Sequence, residues 1–191
     1  ALKAILRERP DAAMAMLVTH LSAAAGSMAW MACEWIRHGK PSVLGIVTGM
    51  VAGLGTITPA SGSVGPAAAL VIGLTAGTVC FFMTMLIKKK LKIDDSLDVF
   101  PVHGVGGILG TLMVGIFCAP DLGVFGGLGF GAGNTSIAGQ LGVQAIGVVS
   151  TFVYTGIATW ILLKLVELMV GLRVTSEEET EGLDIVLHDE R

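Results

Sequence analysis

Charge is scarce in this chain. Lys, Arg, Asp and Glu make up 14% of its 191 residues, against roughly 25% in a typical soluble protein. Aromatic residues are also few, at 6%, with a single tyrosine. Three cysteines, Cys33, Cys80 and Cys118, lie far apart in apolar runs. They match no disulfide or metal spacing and read as small buried hydrophobes. The net charge of −3 points away from nucleic-acid binding. The first ten residues carry Lys3, Arg7, Glu8 and Arg9 with no long apolar core behind them, so no signal peptide is expected. No catalytic constellation and no cofactor motif stands out. GlyLeuGly at 127–129 lacks the strand–turn–helix setting of a dinucleotide fingerprint.

Apolar residues and glycine fill the space that charge leaves. Hydrophobic residues make up 53% of the chain, and the mean hydropathy is +0.78. Glycine supplies 27 residues, about twice its ordinary usage of roughly 7%. Few charges with many glycines suit tightly packed membrane helices. Charge-free runs long enough to cross a bilayer predict five transmembrane helices, at 12–36, 42–57, 64–87, 97–119 and 135–170. Residues 12–170 form the membrane domain, with an external segment at 1–11 and a cytoplasmic tail at 171–191. The uncharged stretch 122–163 covers 42 residues, too many for one straight crossing. Its glycine-rich start reads as loop or re-entrant backbone. Asn134, Thr135 and Ser136 are candidate N-caps for the helix that follows. That helix would be roughly 50 Å long at 1.5 Å per residue.

Lys and Arg alternate between loops. Arg37, His38 and Lys40 follow the first span and Lys88, Lys89, Lys90 and Lys92 the third. The second and fourth loops carry no Lys or Arg. The positive-inside rule then places the basic loops and the C-terminus in the cytoplasm. Glycines recur four apart, at 45, 49 and 53, at 73 and 77, and at 106 and 110. Each set lies on one helix face and predicts close helix contact. Glu34, one turn from the inner end of the first span, is expected to pair with Arg37 or Lys40. His20 reads as a packing or interface residue.

His103 is the residue that asks for a function. It sits in the fourth span, where the only formal charge between 97 and 119 is Asp98. An ionisable ring inside an apolar span is costly and marks a pathway or proton relay by default. Two readings stand side by side. His103 is buried and hydrogen-bonded to a backbone carbonyl or another helix, or it lines a narrow apolar pore. A neutral imidazole offers one donor and one acceptor and exchanges a proton near neutral pH. Helical periodicity puts Val99, His103, Gly106, Gly107 and Gly110 on one face. Pro101 fits a first helical turn, so the helix should begin near Val99, with Asp95 and Asp98 at its entrance. No second ligand at metal spacing accompanies His103 within the span.

IDDSLDVFPVHGVGGILGTLMVGIF closely resembles the second histidine motif of the ammonium transporter (Amt/Rh) family. ACEWIRHGKPSVLG, TITPASG and GLRVTSEEETEGLDI resemble the same family, in the same order. Together they liken the chain to the C-terminal half of a bacterial Amt-type ammonia channel. The resemblance implies an all-α integral membrane protein. Its five helices would be the second inverted repeat plus the long final helix of an eleven-helix fold, assembled as a homotrimer in the plasma membrane. It implies that His103 is one of twin pore histidines, Val99 a pore-lining apolar residue, and Asp95 structural or supportive of the cation. The other histidine, the external aromatic cation site and the phenylalanine gate belong to the first half of the family fold, which has no counterpart here.

The implied activity is transport, with no enzyme chemistry and no cofactor. NH₄⁺ is deprotonated and NH₃ passes the histidine pair. An ammonium sensor of the same fold with little flux is the alternative. By charge alone the tail is a solvated cytoplasmic segment. By resemblance, Arg173, Glu177, Glu178, Glu179, Glu181 and Asp184 help to bind a PII-type nitrogen regulator.

Overall fold

The computed structural model describes residues 10–131 and 133–188. The expected external segment 1–11 lies outside them, except for Pro10 and Asp11, which open the first helix. Among the described residues the regular secondary structure is entirely helical. The chain falls into two compact units, Ala1–Val148 and Val149–Arg191.

Among the described residues, four complete α-helices lie in the first unit. They are α1 (Pro10–His38), α2 (Val43–Ile57), α3 (Pro66–Met85) and α4 (Gly106–Phe117). A π-helical turn, Leu86–Lys90, prolongs α3, and another, Phe100–Val105, leads into α4. The long helix α5 (Ile137–Met169) starts in this unit and continues into the second. Among the described residues, four stretches are long and apolar enough to cross a membrane: Ala12–His38, Pro66–Lys90, Phe100–Phe117 and Ile137–Met169. Helix α2, at 15 residues, is apolar but shorter.

The recurrent glycines work as close-contact sites. Around residues 22–26, α1 is touched by both α2 and α3. A Cβ at Gly49 would meet the Gly26 carbonyl oxygen, and one at Gly77 would meet it from the other side. At that distance no side chain fits, so glycine is required where three backbones converge. Ser22 Oγ, fully buried, donates to Gly53 O across the α1–α2 contact at 2.9 Å. Six threonine hydroxyls bond locally instead. Thr19, Thr48, Thr58, Thr75, Thr78 and Thr111 each donate to the carbonyl four residues earlier. Such bonds let a polar side chain sit in an apolar helix without an unsatisfied donor.

Contact order along the helices gives their direction. Gly45, Gly49 and Gly53 of α2 meet Glu34, Trp30 and Ser22 of α1 in descending order, so these helices are antiparallel. Gly73 and Gly77 of α3 meet Ser22 and Gly26 in ascending order, so α3 runs with α1. The basic loops after α1 and α3 therefore gather at one end, where His38, Ser42, Lys89 and Asp98 line a common cleft. The loops without Lys or Arg meet at the other end. There Leu128 N–H donates to Ser63 O, and Gly129 N–H donates to Cys118 O.

This second loop cluster explains the glycine-rich stretch. A Cβ at Gly127 would strike the carbonyl oxygens of Ser63 and Phe117, so the chain lies directly on the ends of α3's entry loop and α4. Gln140, almost fully buried at the start of α5, holds the same stretch. Its Oε1 accepts from Gly131 N–H and from Asn134 Nδ2. Of the three candidate N-caps, Ser136 does the capping, accepting from Gly139 N–H at 3.2 Å.

In the second unit α5 presents an almost wholly exposed apolar surface, including Phe152, Trp160 and Ile161. Two short helices follow, α6 (Ser176–Glu181) and α7 (Leu183–His188). The tail is thus locally ordered. Thr175 and Glu178 form a reciprocal capping box at the start of α6, and Arg173 pairs with Glu179 at 3.2 Å.

Candidate functional site

The entrance to the fourth span is built from Asp95. Its two carboxylate oxygens accept the backbone N–H groups of Val99 and Phe100, each at 2.9 Å. A helix start leaves such donors without intrahelical partners, and a carboxylate there is favoured by the dipole as well. Asp95 therefore sets where the span begins. Pro101 lies in the first turn, where its missing N–H is tolerated. Asp98 adopts a left-handed backbone, φ 56°, unusual for a residue with a Cβ. Its side chain is anchored to Lys88 Nζ at 2.8 Å.

The π-helical turn changes the face on which His103 lies. A regular α-helix would put Val99, His103, Gly106, Gly107 and Gly110 together. The structure divides these five into two sets, and Val102 joins the first. Val102, Gly106 and Gly110 are buried against α2 and α3. A Cβ at Gly110 would strike Thr56 O, and one at Gly106 would stand 2.9 Å from Thr56 Oγ1 and 3.5 Å from Cys80 Sγ. Val99, 52% exposed, His103, also exposed, and Gly107, with open space beside it, form the other set. The cause is geometric. A π turn spreads more residues over each turn than the 3.6 of an α-helix, so the packing stripe and the histidine stripe separate.

His103 itself makes no side-chain hydrogen bond among the described residues, and it is not buried within this chain. Helix α2 passes beside it: a Cβ at Gly55 would lie 3.9 Å from His103 Nδ1 and 3.8 Å from Val102 O. Glycine at 55 leaves room beside the imidazole. Among the described residues, no group of three or more His, Cys, Asp or Glu side chains is placed to hold a metal.

Two participants escaped the sequence reading. Thr56 is fully buried between α2 and α4, and its hydroxyl lacks a hydrogen-bond partner among the described residues. Its neighbour Gly55 opens onto His103. The motif TITPASG contains neither contact in one dimension, since both depend on how α2 crosses the π turn. Glu34 also behaves differently from expectation. It pairs with neither Arg37 nor Lys40. Its carboxylate accepts from Ser42 N–H at 2.7 Å, from Ser42 Oγ at 3.1 Å and from Trp30 Nε1 at 3.4 Å. The N-terminus of α2 supplies a directed donor, which a mobile lysine or arginine in solvent does not match. His20 is exposed, with Nδ1 2.8 Å from Met16 O.

The regulator-binding candidates in the second unit are all exposed except Glu178, which is partly covered in the capping box. Arg173 and Glu179 are joined as an ion pair. Glu177, Glu181 and Asp184 are exposed carboxylates on or beside α6 and α7.

Comparison with known proteins matches this arrangement to a family. The model of the Ammonium Transporter Family matches residues 2–191. A putative ammonium transporter of Methanothermobacter thermautotrophicus is 48% identical over 182 residues, covering 94% of this chain and 44% of that protein. The ammonium transporter of Bacillus subtilis is 40% identical over 177 residues, 93% of this chain and 43% of its own length. Among solved structures, a protein described as Sensor Amt Protein superimposes with a TM-score of 0.81 at 34% identity, covering 92% of this chain and 42% of that one. Saccharomyces cerevisiae Mep2 gives a TM-score of 0.74 at 33% identity over 87% of this chain. The chain spans less than half the length of the relatives it matches. With its apolar helices, its capped histidine span and this match over nearly every residue, the chain belongs to the ammonium transporter family.

Proposed function

We propose that the protein to which this chain belongs moves ammonium across a membrane by conducting it as ammonia. The carrying observation is His103: an exposed imidazole beside Val99, on an open face of an apolar span whose start Asp95 caps. Stripping water from NH₄⁺ inside an apolar bore is prohibitive without compensation. A neutral NH₃ crosses far more easily, and imidazole serves both as a hydrogen-bond partner and as a proton carrier near neutral pH. His103 acts with a second imidazole from the other half of the fold. K⁺ has no proton to shed, so the same bore rejects it. The relatives are named as transporters, which supports this reading over an enzymatic one.

In the same proposal the protein is a homotrimer in the inner membrane, with the basic loops and the C-terminus in the cytoplasm. Its tail, through Arg173, Glu177, Glu178, Glu179, Glu181 and Asp184, meets a PII-type regulator. Flux of ammonium or methylammonium into proteoliposomes carrying the full-length protein tests the mechanism. His103→Ala should abolish transport or its discrimination against K⁺; unchanged flux and selectivity would remove His103 from the pathway. The similarity to the protein described as Sensor Amt Protein favours one further reading, an ammonium receptor. Saturable ammonium binding with no flux in the same vesicles would select it.

A further inference from the structure

A second feature lies away from His103, at the end of the helices where the two basic loops gather. A cleft of about 560 Å³ is lined by Cys33, Ile36, Arg37, His38, Phe82 and Lys89. Arg37 and His38 come from the last turn of α1 and Lys89 from the turn that ends α3. The two helices run parallel, so these side chains reach the same level. Among the described residues, Arg37, His38 and Lys89 form no ion pair, whereas the adjacent Lys88 is bound to Asp98. Two carboxylates, Glu34 and Asp98, line a neighbouring cleft of about 230 Å³ that shares His38 and Lys89. Both are engaged, Glu34 by Ser42 and Asp98 by Lys88. Among the described residues, no carboxylate pairs with the cations of this cleft.

Its flank is apolar. Ile36 is 88% exposed and Phe82 50% exposed. A small soluble anion would use the cations and leave these side chains idle. A lipid would use both.

We propose that this cleft binds the headgroup of an anionic phospholipid. The Arg37 guanidinium and the Lys89 ammonium hold its phosphate oxygens, and its acyl chains lie along Ile36 and Phe82. Guanidinium matches phosphate geometry with two parallel donors, and basic pockets between transmembrane helices recognise such headgroups. The site requires that the helices span a bilayer but not that the pore conducts.

The test uses the full-length protein in nanodiscs of phosphatidylcholine containing graded phosphatidylglycerol. A photoreactive phosphatidylglycerol should crosslink to residues 33–38 and 82–89. The double variant R37Q/K89Q should lower apparent phosphatidylglycerol affinity at this site about tenfold or more. Arg37→Lys with Lys89→Arg should retain most of it. Thermal midpoints in pure phosphatidylcholine should be the same for all three proteins. Crosslinks elsewhere only, or equal crosslinking in parent and R37Q/K89Q, would overturn the proposal. So would displacement of the lipid by millimolar inorganic phosphate, which would assign the cleft to a free anion.

Discussion

The Glu34 carboxylate of α1 accepts the Ser42 backbone N–H at 2.7 Å, and Ser42 Oγ in turn accepts the Gly45 N–H at 2.9 Å. One carboxylate thereby ties the end of one helix to the start of the next. Gly45 lacks a side chain at the point where Glu34 lies, because a Cβ there would overlap the carboxylate. Ser42→Ala should lower stability by about 1 kcal/mol through loss of the cap. Glu34→Ala should cost more, roughly 1.5–3 kcal/mol, since a charged acceptor is lost. Thermal unfolding in detergent checks the order; equal stability of Glu34→Ala and parent would refute the tie.

Asp95 is placed to hold the histidine span. Asp95→Asn keeps an acceptor for one of the two N–H groups, whereas Asp95→Ala keeps none. Ammonium flux should therefore largely survive in the Asn variant and fall several-fold in the Ala variant, with stability reduced by about 1 kcal/mol in the latter. Equal loss in both variants would mean that the negative charge matters beyond the cap.

Glycine at the helix crossings should be indispensable. Gly77→Ala and Gly110→Ala each drive a methyl into a backbone carbonyl, of Gly26 and Thr56 respectively. A backbone carbonyl cannot swing aside as a side chain does, so each change should cost about 1–3 kcal/mol. Gly62→Ala, with open space beside it, should be close to neutral. Unfolding midpoints for the three variants provide the comparison.

The tail carries a pH signature. Hydrogen bonds from Thr175, its backbone N–H and then its hydroxyl, hold the Glu178 carboxyl below the usual carboxylate range. A lowered folded value means that the ionised carboxylate favours the capped helix. This contribution is complete above the ordinary carboxylate value of about 4.3 and disappears as pH falls through the lowered one. Protection of the Ser176–Glu181 amides, relative to their intrinsic exchange rates, should fall as pH drops below the ordinary carboxylate value of about 4.3. In Glu178→Gln that pH-dependent loss of protection should be absent. Identical pH profiles would contradict the capping role.

The helices and their membrane character follow from one-dimensional features: charge-free runs, glycines four apart, and Lys and Arg confined to alternate loops. Each of these acts through local geometry, so His103 is recognisable as a costly ring in an apolar span before any neighbour is known. Capping by Asp95 is legible for the same reason, since its acceptors and donors lie within five residues. The partner of Glu34 is not, because a helix terminus eight residues away competes with Arg37 and Lys40 and wins by direction. Nor is the face of His103. The π turn at Phe100–Val105 arises where the chain accommodates Pro101 and packs Gly106 and Gly110 against Thr56, and no local periodicity contains that displacement. The π turn, with α2 packed across it, separates the packing face from the one that presents His103 and Val99.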